Sequence, residues 1–465
     1  MRRARRARPL LAVAGAAAMT VAACAGCGAS AGGSGGTTIT MEANSVAGGT
    51  NGQEASWLTK DVIPGFEKEM KAKGQNVTVN FEGSGASGED YANRLALDLK
   101  SGGGPDVFDL DGPYYGEFVQ AGYLKPLSSV VGPAATSWSG WSQIPTSVQS
   151  ITEYQGKQYG IPNGTDGRVL FYNKALFRQA GLPASWQPTS WADIISAAKR
   201  LKAKDPGIEA LQIDGGAQMG EATTFQGVLP LLASAGQLVY NEKTGAWQGD
   251  TPAMQAVAGF YHTIYSTGLA NSQLQLGANG RDQTLQLFAQ GKVGIYLESD
   301  YLYESVINSD GLYPMQGGTK DVGWALIPAQ SPGKGIRGQS FISMSGGSGQ
   351  SLNPNTKHPK LAWDFLSYMN SQAALLQYEK IKAFLSANAD VNKIALAKDP
   401  FLSFVASKVL PLTAYRPSLA IYPQVSVGIQ QLAQNLATGK SPASALSTYQ
   451  TTLEKLVGAS HIAKS

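Results

Sequence analysis

The 465-residue chain predicts an α/β protein made of two units, and three observations carry that prediction. Strand and helix signals alternate from about residue 38 onwards, the pattern of a parallel sheet with right-handed crossovers. The alternation restarts past Tyr159, so a second unit follows the first. The composition is 43% hydrophobic and 15% charged, and the only cysteines, Cys24 and Cys27, lie close to the N-terminus. A large apolar core, rather than disulfides, must therefore hold the fold together.

The chain opens with Arg2, Arg3, Arg5, Arg6 and Arg8, followed by fourteen uncharged, mostly apolar residues up to Ala23. That is the layout of a signal peptide over residues 1–23. Val21-Ala22-Ala23-Cys24 places small residues before a cysteine and resembles the lipobox of bacterial lipoproteins, so lipidation is expected at Cys24. Residues 24–36, rich in Gly, Ser, Ala and Thr, bury too little apolar surface to order themselves and are expected to form a flexible tether. The expected location is the extracytoplasmic face of the cell membrane, held by the lipid. No later apolar run reaches the roughly 18 residues that a membrane span needs. The formal charge of +4 becomes −1 once the five leader arginines are removed. No Lys/Arg cluster remains, which excludes nucleic acid as a partner.

After the tether, Thr38 to Glu42 reads as a strand. Ser56 to Lys73 reads as a helix with Trp57, Leu58, Val62, Phe66 and Met70 inward, bent or broken at Pro64. Val77 to Phe81 alternates as a strand, Tyr91 to Lys100 is a helix, and Asp106 to Leu110 is a short strand. Open sheets bind ligands at the loops beyond the carboxyl ends of their strands. Asp109, Asp111 and the Tyr114-Tyr115 pair stand at such a place. In the second unit Val169 to Tyr172 and Lys292 to Tyr296 read as strands. Trp191 to Ala203, opened by Ser190, reads as a helix, as do 227–235, 253–267, 361–369 and 442–457.

Several catalytic patterns fail on inspection. Gly83-Ser-Gly-Ala-Ser-Gly88 fits a dinucleotide fingerprint, but Glu89 and Asp90 at the helix start oppose a pyrophosphate. Gly32-Gly-Ser34-Gly-Gly matches an esterase elbow only because the tether repeats Gly and Ser. His262, His358 and His461 have no metal spacing. Asp109 and Asp111 are a carboxylate pair of the kind a glycosidase uses but read more simply as acceptors for hydroxyls. The expectation is no catalytic residue, no metal and no cofactor.

A chain-long series of motifs resembles the extracellular solute-binding proteins of ATP-driven importers, in the group that takes up maltose, trehalose and other oligosaccharides. The most specific piece is Tyr159-Gly-Ile-Pro, then Thr165-Asp166, then Leu170-Phe-Tyr-Asn-Lys, continued by Ala180-Gly-Leu-Pro and Pro188-Thr-Ser-Trp-Ala-Asp. Further matches follow in order: Pro105-Asp-Val-Phe-Asp-Leu-Asp, Phe118 to Leu127, Phe288-Ala-Gln-Gly-Lys-Val, Ala362-Trp-Asp-Phe-Leu, and Arg416-Pro with Tyr422-Pro-Gln-Val-Ser. The resemblance implies a two-lobed, periplasmic-binding-protein-like fold with a hinge and an interlobe ligand cleft. It places one lobe at residues 37–154 plus 330–398 and the other at 155–329 plus 399–465. The implied partners are a di- or oligosaccharide and the transmembrane subunits of an ABC permease, with the chain monomeric. A non-sugar polar solute such as a glycerophosphodiester is the alternative, and a secreted glycan hydrolase is a third.

Carried over position by position, the resemblance implies ligand contacts from Glu54, Asp111 and Tyr114 on one side. From the other loops it implies Thr165, Asp166, Glu298, Asp300, Tyr301, Gln339, Ser340 and Arg416. Carboxylates, amides and Arg suit sugar hydroxyls, and aromatic rings suit the C–H face. The structural alternatives are helix caps for Asp111 and Asp166, an ion pair for Arg416, and solvated loops for Glu54 and Gln339. Ser299 and Ser340 stand where related sugar binders often carry tryptophan, so the stacking ring is expected elsewhere, from Tyr114, Tyr115, Tyr301 or Phe341, or is absent.

Overall fold

The computed structural model describes residues 36–463 except 50, 87, 278 and 316. The leader, Cys24 and the expected tether up to residue 35 lie outside the described residues. The first sheet has five strands in the order Val77–Gly83, Thr37–Ala43, Val107–Asp111, Gly347–Leu352, Gly160–Thr165. The first three are parallel, because a helix intervenes between each pair in sequence. The other two are antiparallel additions from later in the chain. Ile39, Met41 and Ala43 point into a core with Trp57, Phe66 and Phe365. The edge strand Val77–Gly83 alternates buried Val77 and Val79 with exposed Thr78 and Asn80.

The predicted break at Pro64 does not occur. The chain is helical from Gly52 to Ala72, with a π-helical turn at Leu58–Val62 immediately before the proline. A proline clashes with the carbonyl four residues back and leaves it without a donor, and a π turn is a local adjustment that relieves this.

The second sheet runs Val322–Ala325, Arg168–Asn173, Val293–Ser299, Glu209–Gln212. Arg168–Asn173 is buried at every residue and is antiparallel to both neighbours. Helices Trp191–Lys204, Pro252–Ser266, Tyr422–Ala437 and Pro442–Val457 pack on this sheet in one core. The helix start read at Ser190 is a capping box: Ser190 Oγ accepts from Asp193 N at 3.3 Å and Asp193 Oδ2 accepts from Ser190 N at 3.1 Å. Among the described residues no helix is long and apolar enough to cross a membrane.

Strand membership moves the expected lobe limits. Gly160–Thr165, assigned from sequence to the second lobe, hydrogen-bonds into the first sheet, so the chain crosses between Thr165 and Arg168. Phe341–Met344, assigned to the first lobe, pairs with Ile327–Pro328 and Thr413–Ala414 and packs in the second core. The return crossing is therefore at 345–347. Both errors have one cause: an apolar strand between two lobes carries no mark of which sheet it joins.

Candidate functional site

The strand Val107–Asp111 delivers two carboxylates to its carboxyl end on one face. Asp109 is 7% exposed, whereas Asp111, two residues on, is open to water. Asp111 precedes the short helix Gly112–Tyr114 but makes no capping bond to it, so the capping alternative falls. Glu54 arrives from the neighbouring loop. There Asn51 adopts a left-handed φ of 48°, which asparagine tolerates better than most residues, and its Nδ2 donates to Asn44 O at 2.9 Å. This starts the helix Gly52–Trp57 with Glu54 in its first turn, near enough to Asp109 for each to shift the other. Burial pushes Glu54 up to about 7, and the contact with Asp109 and the Lys382 ammonium offset only part of that. Burial, and then the Glu54 charge, holds Asp109 well above the usual carboxylate range. The surrounding cleft desolvates Asp111 and raises it although its own surface is exposed, and Arg416 of the other lobe pulls it back.

Beside Glu54 lies a cavity of about 170 Å³ lined by Trp57, Asn163, Ser348, Tyr378 and Phe384. Tyr378 stacks on Trp57 with ring centres 4.9 Å apart, and Phe384 lies 4.6 Å from Tyr378. Trp57 is fixed by its Nε1 donating to Ala374 O at 3.0 Å. These rings are an aromatic surface that the sequence reading missed. Among the substitutes it named, Tyr115 is fully buried and bonded to Ser351 Oγ at 2.9 Å. Tyr114 lines a small cavity with Asp109 and Asp111. Tyr301 is 38% exposed, with the Arg281 guanidinium 5.5 Å from its ring centre, and Phe341 sits in the second-lobe strand opposite Pro328.

At the crossing, Asp166 pairs with Arg168 and accepts from Gly346 N, while Ser345 Oγ donates to Asp166 O. Thr165 Oγ1 donates to Gly346 O at 3.3 Å. Thr165 and Asp166 thus clasp the two crossing segments together. Arg168 and Arg416 both lie against the ring of Phe225, at 3.7 and 3.8 Å from its centre, a favourable placement for two cations otherwise close together. Arg416 also pairs with Glu221 at 2.9 Å, and Tyr422 Oη donates to Glu221 at 2.6 Å. Arg416 thus makes the ion pair named as its structural alternative, and its field also reaches Asp111 across the cleft. The lobes approach closely here: Gly116 N donates to Ser418 Oγ at 3.1 Å, and a Cβ on Gly116 would sit 2.1 Å from Ser418 O.

Other expected contacts are not brought to this place. Glu298 is wholly buried and held bidentately by Arg281 at 2.9 and 3.1 Å. Asp300 is buried and accepts from Gly167 N at 3.1 Å. Gln339 Oε1 accepts from Arg337 N at 2.6 Å and Ser340 Oγ accepts from Gly333 N at 3.2 Å, so that turn closes on itself. The structure thus gathers Glu54, Asp111 and Tyr114 on one wall, with Asp166 and Arg416 opposite and Thr165 at the hinge. It adds Asp109, noted at its strand end but not carried over, and Tyr378, Lys382, Phe225 and Glu221. Only Trp57, three residues after Glu54 on one helix face, offered a sequence signal. Among the described residues no group of three or more His, Cys, Asp or Glu is placed to hold a metal.

Two α/β lobes joined by clasped crossing segments, with polar side chains facing each other beyond the strand ends, define a two-lobed binding protein. The chain matches the family model described as bacterial extracellular solute-binding protein over residues 49–375, and it belongs to that family. A binding protein of Brucella abortus is 23% identical over 408 residues, covering 87% of this chain and 92% of its own. The galactooligosaccharide-binding protein of Bacillus subtilis is 24% identical over 426 residues, 89% of each. Among solved structures, a Thermotoga lettingae ABC transporter solute-binding protein bound to α-D-tagatose superposes with a TM-score of 0.72 at 22% identity, covering 91% of this chain and all of that one. It shares the fold.

Proposed function

We propose that this chain is the exported receptor of an ABC importer, anchored through a lipid on Cys24, that captures a di- or oligosaccharide between its lobes and hands it to the permease without turnover. The observation that carries the reading is Asp111: a carboxylate at a strand end, open to water, free of any capping role, and facing Arg416 of the other lobe. A ligand that bridges Asp111 to the second lobe stabilises the closed form alone, and that difference in affinity is what drives closure. Glu54, Asp111 and Tyr114 are read as hydroxyl contacts, and Tyr378 with Phe384 as the apolar surface for a sugar face. Asp166 and Thr165 are read as hinge residues bordering the ligand. The relatives named for galactooligosaccharide and tagatose support the sugar class.

A phosphodiester is disfavoured, because carboxyls line this wall and any that is ionised repels it, with Lys382 the cation beside them. The family model and the named relatives are of binding proteins, which supports a receptor over a hydrolase. Calorimetry of the mature chain against monosaccharides, polyols and oligosaccharides tests the reading. Binding of at least one saccharide, lost in Asp111→Ala, is expected; heat only from a phosphodiester or an amino acid would overturn it.

A further inference from the structure

Gly116 N donates to Ser418 Oγ at 3.1 Å, from one lobe to the other. Each partner is fixed in its own lobe. Gly116 lies on the helix Tyr115–Gln120 between Tyr115 and Phe118, both buried in a first-lobe core. Ser418 precedes Leu419 and Ile421, which pack against the second-lobe core. The start of the helix has no side-chain cap from its own segment, and the acceptor for this amide comes from the other lobe.

The glycine is explained by this approach and not by its own backbone. Its φ is not left-handed, and glycine weakens a helix where φ is ordinary. A Cβ there would sit 2.1 Å from Ser418 O and 2.9 Å from Leu419 N. Both are backbone atoms, so no side-chain rotation makes room for it. Neighbours on the same two segments also meet across the lobes. Tyr415 packs against the first-lobe core although Ala414, next to it, belongs to the second. A gap of only about 30 Å³ remains between Gly112 and Pro113 on one side and Arg416 and Ser418 on the other.

We propose that Gly116 and Ser418 form a latch that favours the closed lobes independently of the solute, and so set the affinity for it without touching it. The contact joins the segments that carry Asp111 and Arg416, on the side where the strand ends face the other lobe. Closing the lobes there makes it and parting them breaks it. Neither group needs a ligand, so part of the closing free energy is in place before a solute arrives. Apparent affinity then rises with the fraction of chains already closed. For its solute the proposal rests on the reading above, whereas the lobe contact does not. Gly116 and Ser418 are positioning residues, not ligand contacts.

Small-angle X-ray scattering of the mature chain without solute tests the latch. Gly116→Ala is expected to raise the radius of gyration above that of wild type, because its methyl group meets the Ser418 backbone and holds the lobes apart. Ser418→Ala removes the acceptor without adding bulk and is expected to raise it less. Circular dichroism and thermal unfolding establish that each variant is folded, and if Gly116→Ala does not fold, Ser418→Ala decides. An equal radius in wild type and the folded variants overturns the proposal. Calorimetry with galactobiose, tagatose and mannitol as probes reads the consequence. Ser418→Ala is expected to weaken binding by about two- to tenfold, the effect of one hydrogen bond, and Gly116→Ala by more. Unchanged affinity in both overturns the proposal. If none of these probes binds, that counts against the sugar reading, and the scattering result alone decides the latch.

Discussion

In the second lobe, three carboxylates are matched to guanidinium groups: Glu298 to Arg281, Glu221 to Arg416, Asp166 to Arg168. In the first lobe, Glu54, Asp109 and Asp111 face one another, with Lys382 and the distant Arg416 as the opposing charges. The residue types are the same, and what differs is whether the lone pairs are already used. A carboxylate held bidentately has little left for a ligand, and removing its partner strands a buried charge. A carboxyl crowded by its own kind is costly to bury and gains most from a hydroxyl donor arriving from outside. The first wall is built to recognise and the second to hold shape.

The largest effect that would break this contrast is in the second lobe. Arg281→Met leaves Glu298 buried without its partner and Asp214, 3.9 Å from the same guanidinium, without its nearest cation. It should lower stability by about 3–5 kcal/mol in urea unfolding. A loss under about 1 kcal/mol would mean that the pair is not structural. On the first wall, Asp111→Asn should weaken saccharide binding by about 1.5–3 kcal/mol, the range for hydrogen bonds to charged groups. It should leave stability within about 0.5 kcal/mol, as for an exposed surface change. Calorimetry and denaturation on one preparation separate the two readings.

A third effect is in pH. Burial pushes Glu54 up to about 7 in the folded chain, above its ordinary value near 4.5, so the native state holds the extra proton between those values. Its stabilising contribution is complete below the unfolded value and is lost as pH rises through the folded one. Wild-type stability should therefore fall by up to about 1.4 kcal/mol per pH unit over that window from this group, and Glu54→Gln should flatten the slope. An equal slope in both proteins would remove Glu54 from the account. The smallest effect calibrates the rest: Lys360→Ala breaks only the exposed pair with Asp364, 2.6 Å apart within one helix. It should cost no more than about 0.5 kcal/mol by thermal unfolding.

Legibility followed the same division. Asp111 was legible because a strand end is a local feature, whereas Glu54 came only from the resemblance. Glu298 and Asp300 were implied by the resemblance, but both are buried, Glu298 held by Arg281 and Asp300 by Gly167 N. Gln339 and Ser340 were carried over from a resemblance and lie in a self-bonded turn. Tyr378 and Phe384 went unseen because nothing near them in sequence distinguishes a ring that lines a cavity from one that fills a core.

The sequence by itself determined two α/β units, the helices and most strands, the capping box at Ser190 and the acidic strand end at Asp111. Each depends on periodicity or on neighbours a few residues away, where side-chain spacing along one element is decisive. Only the tertiary structure decided which sheet took Gly160–Thr165 and Phe341–Met344 and which carboxylates had a guanidinium. Those depend on distances between segments far apart in the chain, and the energy of a charge is set by what burial brings against it.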